Sequence, residues 1–318
     1  MADCITDKKY VFLFPGQGAQ YTGMGLDLVD VSGEAGNLFT LASELIGQDA
    51  GKLLAEADGE TLKRGGIAQP AITLVNLAAA AVLKSRGILP AACAGHSLGE
   101  YAALAACGVI SAEDSLRLTV RRGQLMQEAV SALGESGGGM AAVIGIPGGE
   151  VEKAVNDWTA AGLRDLYVAN LNAPLQTVVS GAAAALSKAE TFFKEAGARR
   201  FIRLAVAGPF HSPLMAEAAD KFAADLDRVS FADPAVPFFS NVTGKRVTSG
   251  GEARTLAMRQ ICSPVRWIDQ ESAIASTAPD AAVEAGPGKV LSGLWKDAGI
   301  TIPCFPAGKL VDIEKICW

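Results

Sequence analysis

The chain has 318 residues, 50% of them apolar and 19% charged. That length exceeds the usual single domain, and the composition suits a well-buried core rather than disorder. A net charge of −6 and a pI near 5.1 argue against nucleic acid as a general partner.

The N-terminus carries Asp3, Asp7, Lys8 and Lys9 with no apolar segment, so no export signal is visible. Tyr10 to Phe14 is an apolar run stopped by Pro15-Gly16 and reads as a buried strand. Gln69 to Lys84 is Ala-rich, carries Leu74, Leu77, Val82 and Leu83, and ends at Arg86-Gly87 as a buried helix would. Ala91 to Gly95 reads as a strand and Leu98 to Cys107 as a helix, with Ser97 between them. Ser111-Ala112-Glu113-Asp114 supplies a cap and an acidic first turn for a helix reaching about Leu133. The glycines of Gly134 to Gly139 read as a hinge. Beyond it come a strand (140–146), a helix (149–161), a strand (166–172), a turn at Ala173-Pro174-Leu175, a strand (176–180), a helix (182–196) and a strand (199–206). That β-α-β-β-α-β order is the ferredoxin-like pattern. Strand signals then resume at 236–240, 281–284 and 302–305, with helices near 213–228, 252–260, 264–276 and 288–298. The expectation is a large α/β domain (1–133 and 207–318) interrupted by a small ferredoxin-like domain (134–206).

No apolar run approaches a membrane span; Leu77–Leu83 and Tyr101–Ile110 are the longest near-apolar stretches. Cys4, Cys93, Cys107, Cys262, Cys304 and Cys317 show no C-x-x-C spacing and read as reduced thiols of a cytoplasmic protein. With those spacings and two histidines, no metal site is expected.

Both histidines stand where acyl transfer would use them. His96 lies in Gly95-His96-Ser97-Leu98-Gly99, between the strand and the helix. A serine on such a turn is presented at a tight strand-to-helix corner whose flanking glycines keep it unobstructed. A serine hydroxyl needs a base, usually imidazole, and the one distant histidine is His211, in Gly208-Pro209-Phe210-His211-Ser212-Pro213. His96, adjacent to the serine, points elsewhere and lines or orients the pocket. The amide of Leu98 is a natural oxyanion donor. Arg122 falls in helical phase with Leu118, Leu125, Met126 and Ala129, while Arg121 falls with Arg117, Gln124 and Glu128 on the polar stripe. An inward arginine needs an anion, which phase alone leaves open between a buried Asp or Glu and a substrate carboxylate. Gly16-x-Gly18-x-x-Tyr21 and Gly286-Pro287-Gly288-Lys289 fail the dinucleotide and phosphate-loop spacings. Asn241-Val242-Thr243 matches a glycosylation acceptor without an export signal to use it.

FPGQGAQ (14–20), GHSLGEYAAL (95–104), RRGQLMQEA (121–129), ANLNAPLQTVVSG (169–181), GPFHSPLM (208–215), SNVTG (240–244), RQICSPVRW (259–267) and EAGPGKVL (284–291) together resemble the malonyl-CoA:acyl-carrier-protein transacylases and the acyltransferase domains of fatty acid and polyketide synthases. The resemblance implies an α/β-hydrolase-like large domain with an inserted ferredoxin-like one. It implies Ser97 as acylated nucleophile, His211 as base, Gln17 and Leu98 as oxyanion amides, and Arg122 as holder of the malonate carboxylate. It also implies that the carbonyl of Gln260 orients the histidine and that Asn170 and Asn172 lie near the site. Phe210 beside the histidine would crowd a branched acyl group, which favours malonyl over methylmalonyl. The partners implied are malonyl-CoA and acyl carrier protein, with no cofactor beyond the coenzyme A thioester and a monomer as the plain expectation. Lys188, Lys194, Arg199, Arg200 and Arg203 are candidates for docking an acidic carrier. Two other readings fit the elbow: a serine hydrolase or thioesterase using Asp157 or Asp165, and a non-catalytic scaffold. The acceptor could belong to fatty acid or polyketide synthesis.

Overall fold

The computed structural model describes residues 8–134 and 137–316; Cys4, Cys317, Asp3 and Asp7 lie outside them. The fold is α/β, with two sheets. The larger sheet takes β1 (Tyr10–Phe14), β2 (Pro90–Gly95), β7 (Phe238–Phe239), β8 (Arg246–Val247), β9 (Ala281–Glu284) and β10 (Cys304–Pro306), in the order β10-β9-β1-β2-β7-β8. All its neighbours run parallel except the edge pair β7–β8. Alternate residues of β1 explain its unbroken apolar run: Tyr10, Phe12 and Phe14 enter one core and Val11 and Leu13 the other. A parallel strand covered on both faces has no polar side to show.

The smaller sheet takes β3 (Gly138–Ile144), β4 (Leu166–Ala173), β5 (Gln176–Ala182) and β6 (Arg200–Arg203), antiparallel and ordered β4-β5-β3-β6. All four strands lie between Gly138 and Arg203. Helices Gly148–Ala160 and Ala183–Glu195 cover one face, through Val151, Val155, Trp158, Leu186 and Phe193. The other face carries Met140, Ala142, Ala169 and Val178 and meets Phe210.

Several elements differ from the sequence expectation. Gly138 and Gly139 are not hinge but the first residues of β3, paired with Ala182 and Gly181. A Cβ on Gly138 would stand 2.8 Å from Pro209 and 2.9 Å from the Gly181 carbonyl, so close packing accounts for that glycine. Residues 135–136 of the expected hinge lie outside the described residues. The sequence also left unassigned the helices Gly33–Ile46 and Ala50–Glu56, which are capped by Ser32 and Asp49. The buried helix is longer than its expectation, Gly65–Ser85, and is long and apolar enough to cross a membrane by length and composition. Gly65 and Gly66 hid its first turn in the sequence, and a Cβ on Gly65 would stand 3.2 Å from the Gly123 carbonyl. Every residue from 68 to 83 is buried within the protein, the environment of a core helix.

The corner after β2 allows no side chains at its glycines. A Cβ on Gly99 would overlap the Phe14 carbonyl, and one on Gly95 would overlap the backbone of Gly99. Gly99→Ala is expected to cost about 3 kcal/mol or more by forcing β1 away from the helix; chemical denaturation checks it, and a midpoint matching the parent would contradict this close approach.

Candidate active site

Ser97 sits between β2 and the helix Gly99–Ala106 with φ 49°. A left-handed non-glycine residue is rare and is held only where its surroundings dictate it. His211, in the loop entering helix Ala216–Leu226, has the same kind of backbone at φ 56°. Their side chains meet: Ser97 Oγ lies 2.7 Å from His211 Nε2. His211 Nδ1 faces two carbonyl oxygens, of Gln260 at 3.0 Å and Ser263 at 3.1 Å. Carbonyls only accept, so the proton sits on Nδ1 and Nε2 is left to accept from the serine. Among the described residues, no carboxylate holds this ring. Asp157 is exposed and ion-paired with Lys153 at 3.3 Å, and Asp165 takes a 3.4 Å bond from the Tyr167 hydroxyl. Burial, then the positive charge of Arg122, push His211 down to about 3.

Arg122 projects inward as helical phase required and is 1% exposed. Its nearest partners are neutral: Nη1 donates to Gln69 Oε1 at 2.9 Å and Nη2 to Gln260 Oε1 at 3.2 Å. The guanidinium also lies 5.6 Å above the Tyr101 ring, while Nε has no partner among the described residues. No ion pair within 4.0 Å joins Arg122 to a described carboxylate; Arg121 is the arginine that pairs, with Asp225 at 3.3 Å. A fixed guanidinium cradled by amides keeps its charge for an anion from outside. Glu100, buried nearby, is pushed up to about 7 by burial against the opposing hydrogen bonds of Asn241 and Gln260 and the charge of Arg122.

Ser97, His211 and Arg122 line one cavity of about 240 Å³ together with Gln17, His96, Leu98, Asn170, Asn172 and Phe210. Its far wall is the open face of the smaller sheet, through Met140 and Val178, extended by Leu204 and Val206 beyond β6. A second cavity of about 220 Å³, between helices Gly33–Ile46 and Gly65–Ser85, has no ionisable group in its lining. A Cβ on Gly16 would overlap the His96 carbonyl and stand 3.6 Å from Leu98 N, so the loop after β1 lies directly on the elbow. Among the described residues, the N–H groups of Gln17 and Leu98 donate to no protein acceptor. His96 Nε2 meets Asn172 Oδ1 at 2.8 Å, and its ring stands edge-on to Trp267 at 5.4 Å.

Gln260 does more than the expected carbonyl: its amide also donates to Ser97 O at 2.9 Å, so one residue touches the serine, the histidine and the arginine. Sequence reading missed Gln69, Tyr101, Asn241 and Ser263. Gln69 carried a signal, one of few uncharged polar residues on the first turns of a mostly apolar helix; Ser263 acts through its backbone and carried none.

The acyl transferase domain family matches residues 11–300. This chain belongs to that family. The malonyl CoA-acyl carrier protein transacylase of Bacillus subtilis is 41% identical over 288 residues, 91% of this chain and 90% of the relative. The acyl carrier protein S-malonyltransferase structure from Vibrio cholerae superposes with a TM-score of 0.91 at 35% identity, covering 97% of this chain and 99% of the other. A chain from the complex of a type II polyketide-synthase acyl-carrier protein with its malonyl-transacylase superposes with a TM-score of 0.90 at 34% identity, covering 96% of this chain and 98% of the other.

Proposed function

We propose that this acyl transferase moves the malonyl group from malonyl-CoA to the pantetheine thiol of acyl carrier protein in fatty acid synthesis. The observation that carries the reading is a buried, unneutralised Arg122 in the same cavity as a serine already bonded to a base. A hydrolase of simple esters has no use for a cation there; a malonyl group supplies the missing carboxylate.

Ser97 Oγ attacks the thioester carbonyl while its proton passes to His211 Nε2. The carbonyl oxygen becomes an oxyanion facing the Gln17 and Leu98 amides, each worth about 3 kcal/mol in such a role. Collapse breaks the carbon–sulfur bond, and coenzyme A leaves as thiol with the proton from His211. The carrier's pantetheine thiol then gives its proton to His211 and attacks the malonyl-serine. Collapse in this direction returns the proton to Ser97 and releases malonyl-carrier protein. Each half-reaction exchanges an ester-type bond and one proton, so no cofactor beyond the thioester substrate enters. Asn172 and Trp267 fix His96 on the cavity wall, Asn170 adds a polar group beside it, and Phe210 fills the space a branched acyl group would need.

The exposed Lys188, Arg199, Arg200 and Arg203 are the side chains proposed to meet an acidic carrier; Lys194 is engaged by Glu190 at 2.8 Å. The likeness to the polyketide carrier complex favours a second acceptor, a polyketide carrier protein, as the alternative. Reduced cysteines and an acidic surface suit the cytoplasm.

Brief incubation with malonyl-CoA is expected to leave one malonyl group on the protein, mapped by peptide mass spectrometry to Ser97 and discharged by holo-acyl carrier protein. Free malonate accumulating with no adduct would move the reading to a hydrolase; neither adduct nor turnover would leave a scaffold.

A further inference from the structure

Asn241 carries the glycosylation-like triplet, yet it is 0% exposed, so its carboxamide must find partners inside the protein. It finds them on the elbow. Oδ1 accepts the Ser97 N–H at 2.6 Å, and Nδ2 donates to Gly95 O at 2.6 Å. The second Nδ2 proton is directed to Gln270 Oε1 at 3.4 Å. The main chain is fastened as well: Asn241 N–H donates to Glu100 Oε2 at 2.7 Å, and its carbonyl accepts from Arg266 N–H at 2.8 Å. One side chain, 144 residues from the serine in sequence, therefore spans both sides of the corner.

The corner needs such a restraint. A left-handed serine costs about 1–3 kcal/mol, and relaxing it would swing Oγ away from His211 Nε2. The peptide planes on either side of Ser97 are each held by a side chain from outside the corner. Asn241 holds the 96–97 peptide through its N–H. Gln260 Nε2 and Glu100 N–H hold the 97–98 peptide through its carbonyl. In a trans peptide the N–H points opposite to the C=O, so drawing Ser97 O toward Gln260 turns the Leu98 N–H the other way. Committing the Ser97 N–H to Asn241 leaves Leu98 as the elbow's donor.

We propose that Asn241 is a positioning residue for acyl transfer, a carboxamide bridge across Gly95 and Ser97 that keeps the nucleophile in reach of His211 and the Leu98 amide aimed at the acyl oxygen. The proposal rests on the reading of Ser97 as nucleophile. Because the bridge acts on the elbow and not on the acyl group, its loss slows every donor alike, unlike loss of Arg122.

The test compares Asn241→Leu, which removes both bridge contacts while keeping the branched shape, with Asn241→Asp, which keeps an acceptor for Ser97 and regains a donor for Gly95 only when protonated. Malonyl-CoA turnover and labelling of Ser97 by a small fluorophosphonate are measured and normalised to the folded fraction. For Asn241→Leu, both rates are expected to fall about 100-fold, the scale of a displaced reacting group. For Asn241→Asp, the rate relative to the parent is expected to rise at least about fivefold from about pH 8 to about pH 6, as the carboxyl gains its proton. A merely structural role has no such slope. Labelling of Asn241→Leu within about threefold of the parent overturns the proposal. Should Asn241→Leu not fold, the aspartate decides alone, and a flat ratio overturns it. A parent protein that malonyl-CoA does not acylate at Ser97 would sink the underlying reading instead.

Discussion

Arg122→Ala is expected to slow malonyl loading by about 10²- to 10³-fold while acetyl loading falls less than about tenfold. The wild-type guanidinium donates only to the neutral oxygens of Gln69 and Gln260, and no described carboxylate lies within ion-pair distance. A malonyl carboxylate entering the cavity therefore meets a cation already stripped of water and aimed. Leaving one member of such a pair buried and unpaired costs about 3–5 kcal/mol, and each 1.4 kcal/mol is about tenfold in rate. An acetyl group brings no charge, so for it the alanine removes bulk and no partner. Rates of covalent loading from malonyl-CoA and acetyl-CoA, followed by intact-protein mass spectrometry, decide the matter. Equal losses for the two donors would remove the carboxylate role from Arg122.

Much of this arrangement was legible in local sequence, for physical reasons. The strand–serine–helix corner shows because its glycines are demanded by backbone contacts only a few residues away in sequence or in β1. Helical phase placed Arg122 inside because a period of 3.6 is a local property. What answers Arg122 was not legible: Gln69 lies 53 residues before it and Gln260 138 after, and a glutamine reaching across the core leaves no pattern around itself. Ser263 contributes only a carbonyl, which every residue has. Asn241 was visible as a motif of a different kind, and only burial shows what its carboxamide holds. The left-handed backbones of Ser97 and His211 are likewise imposed by tertiary contacts on residue types that do not prefer them. Where sequence expectation failed, at Gly138, Gly139 and the start of the long helix at Gly65, close packing outweighed the usual meaning of glycine.

His211→Ala is expected to lower kcat/KM for malonyl transfer by about 10²- to 10⁴-fold, the range for loss of a positioned base, with Ser97 still in place. The pH behaviour of the parent should carry a distinct mark. Burial and then Arg122 hold His211 down to about 3 in the free protein, against about 6.5 when unfolded. Its neutral form, the one that can accept from Ser97, thus persists well below pH 6, and kcat/KM should show no histidine limb near 6.5. For stability the sign is fixed by the same shift. Between about 3 and 6.5 the unfolded chain binds the proton and the folded one does not, so the contribution is complete above 6.5 and is lost as pH falls toward 3. His211→Ala should therefore flatten part of the acid loss of stability, read from denaturation midpoints across that window. So depressed a base is weak, which gives the substrate carboxylate a second consequence. When it neutralises Arg122, one of the forces depressing His211 is removed, and the imidazole becomes more basic with the malonyl group bound. An NMR titration of the His211 ring, alone and with a carboxylate-bearing thioester analogue, should show the value rising on binding. A free-protein titration near 6.5 would contradict both the acid profile and this coupling.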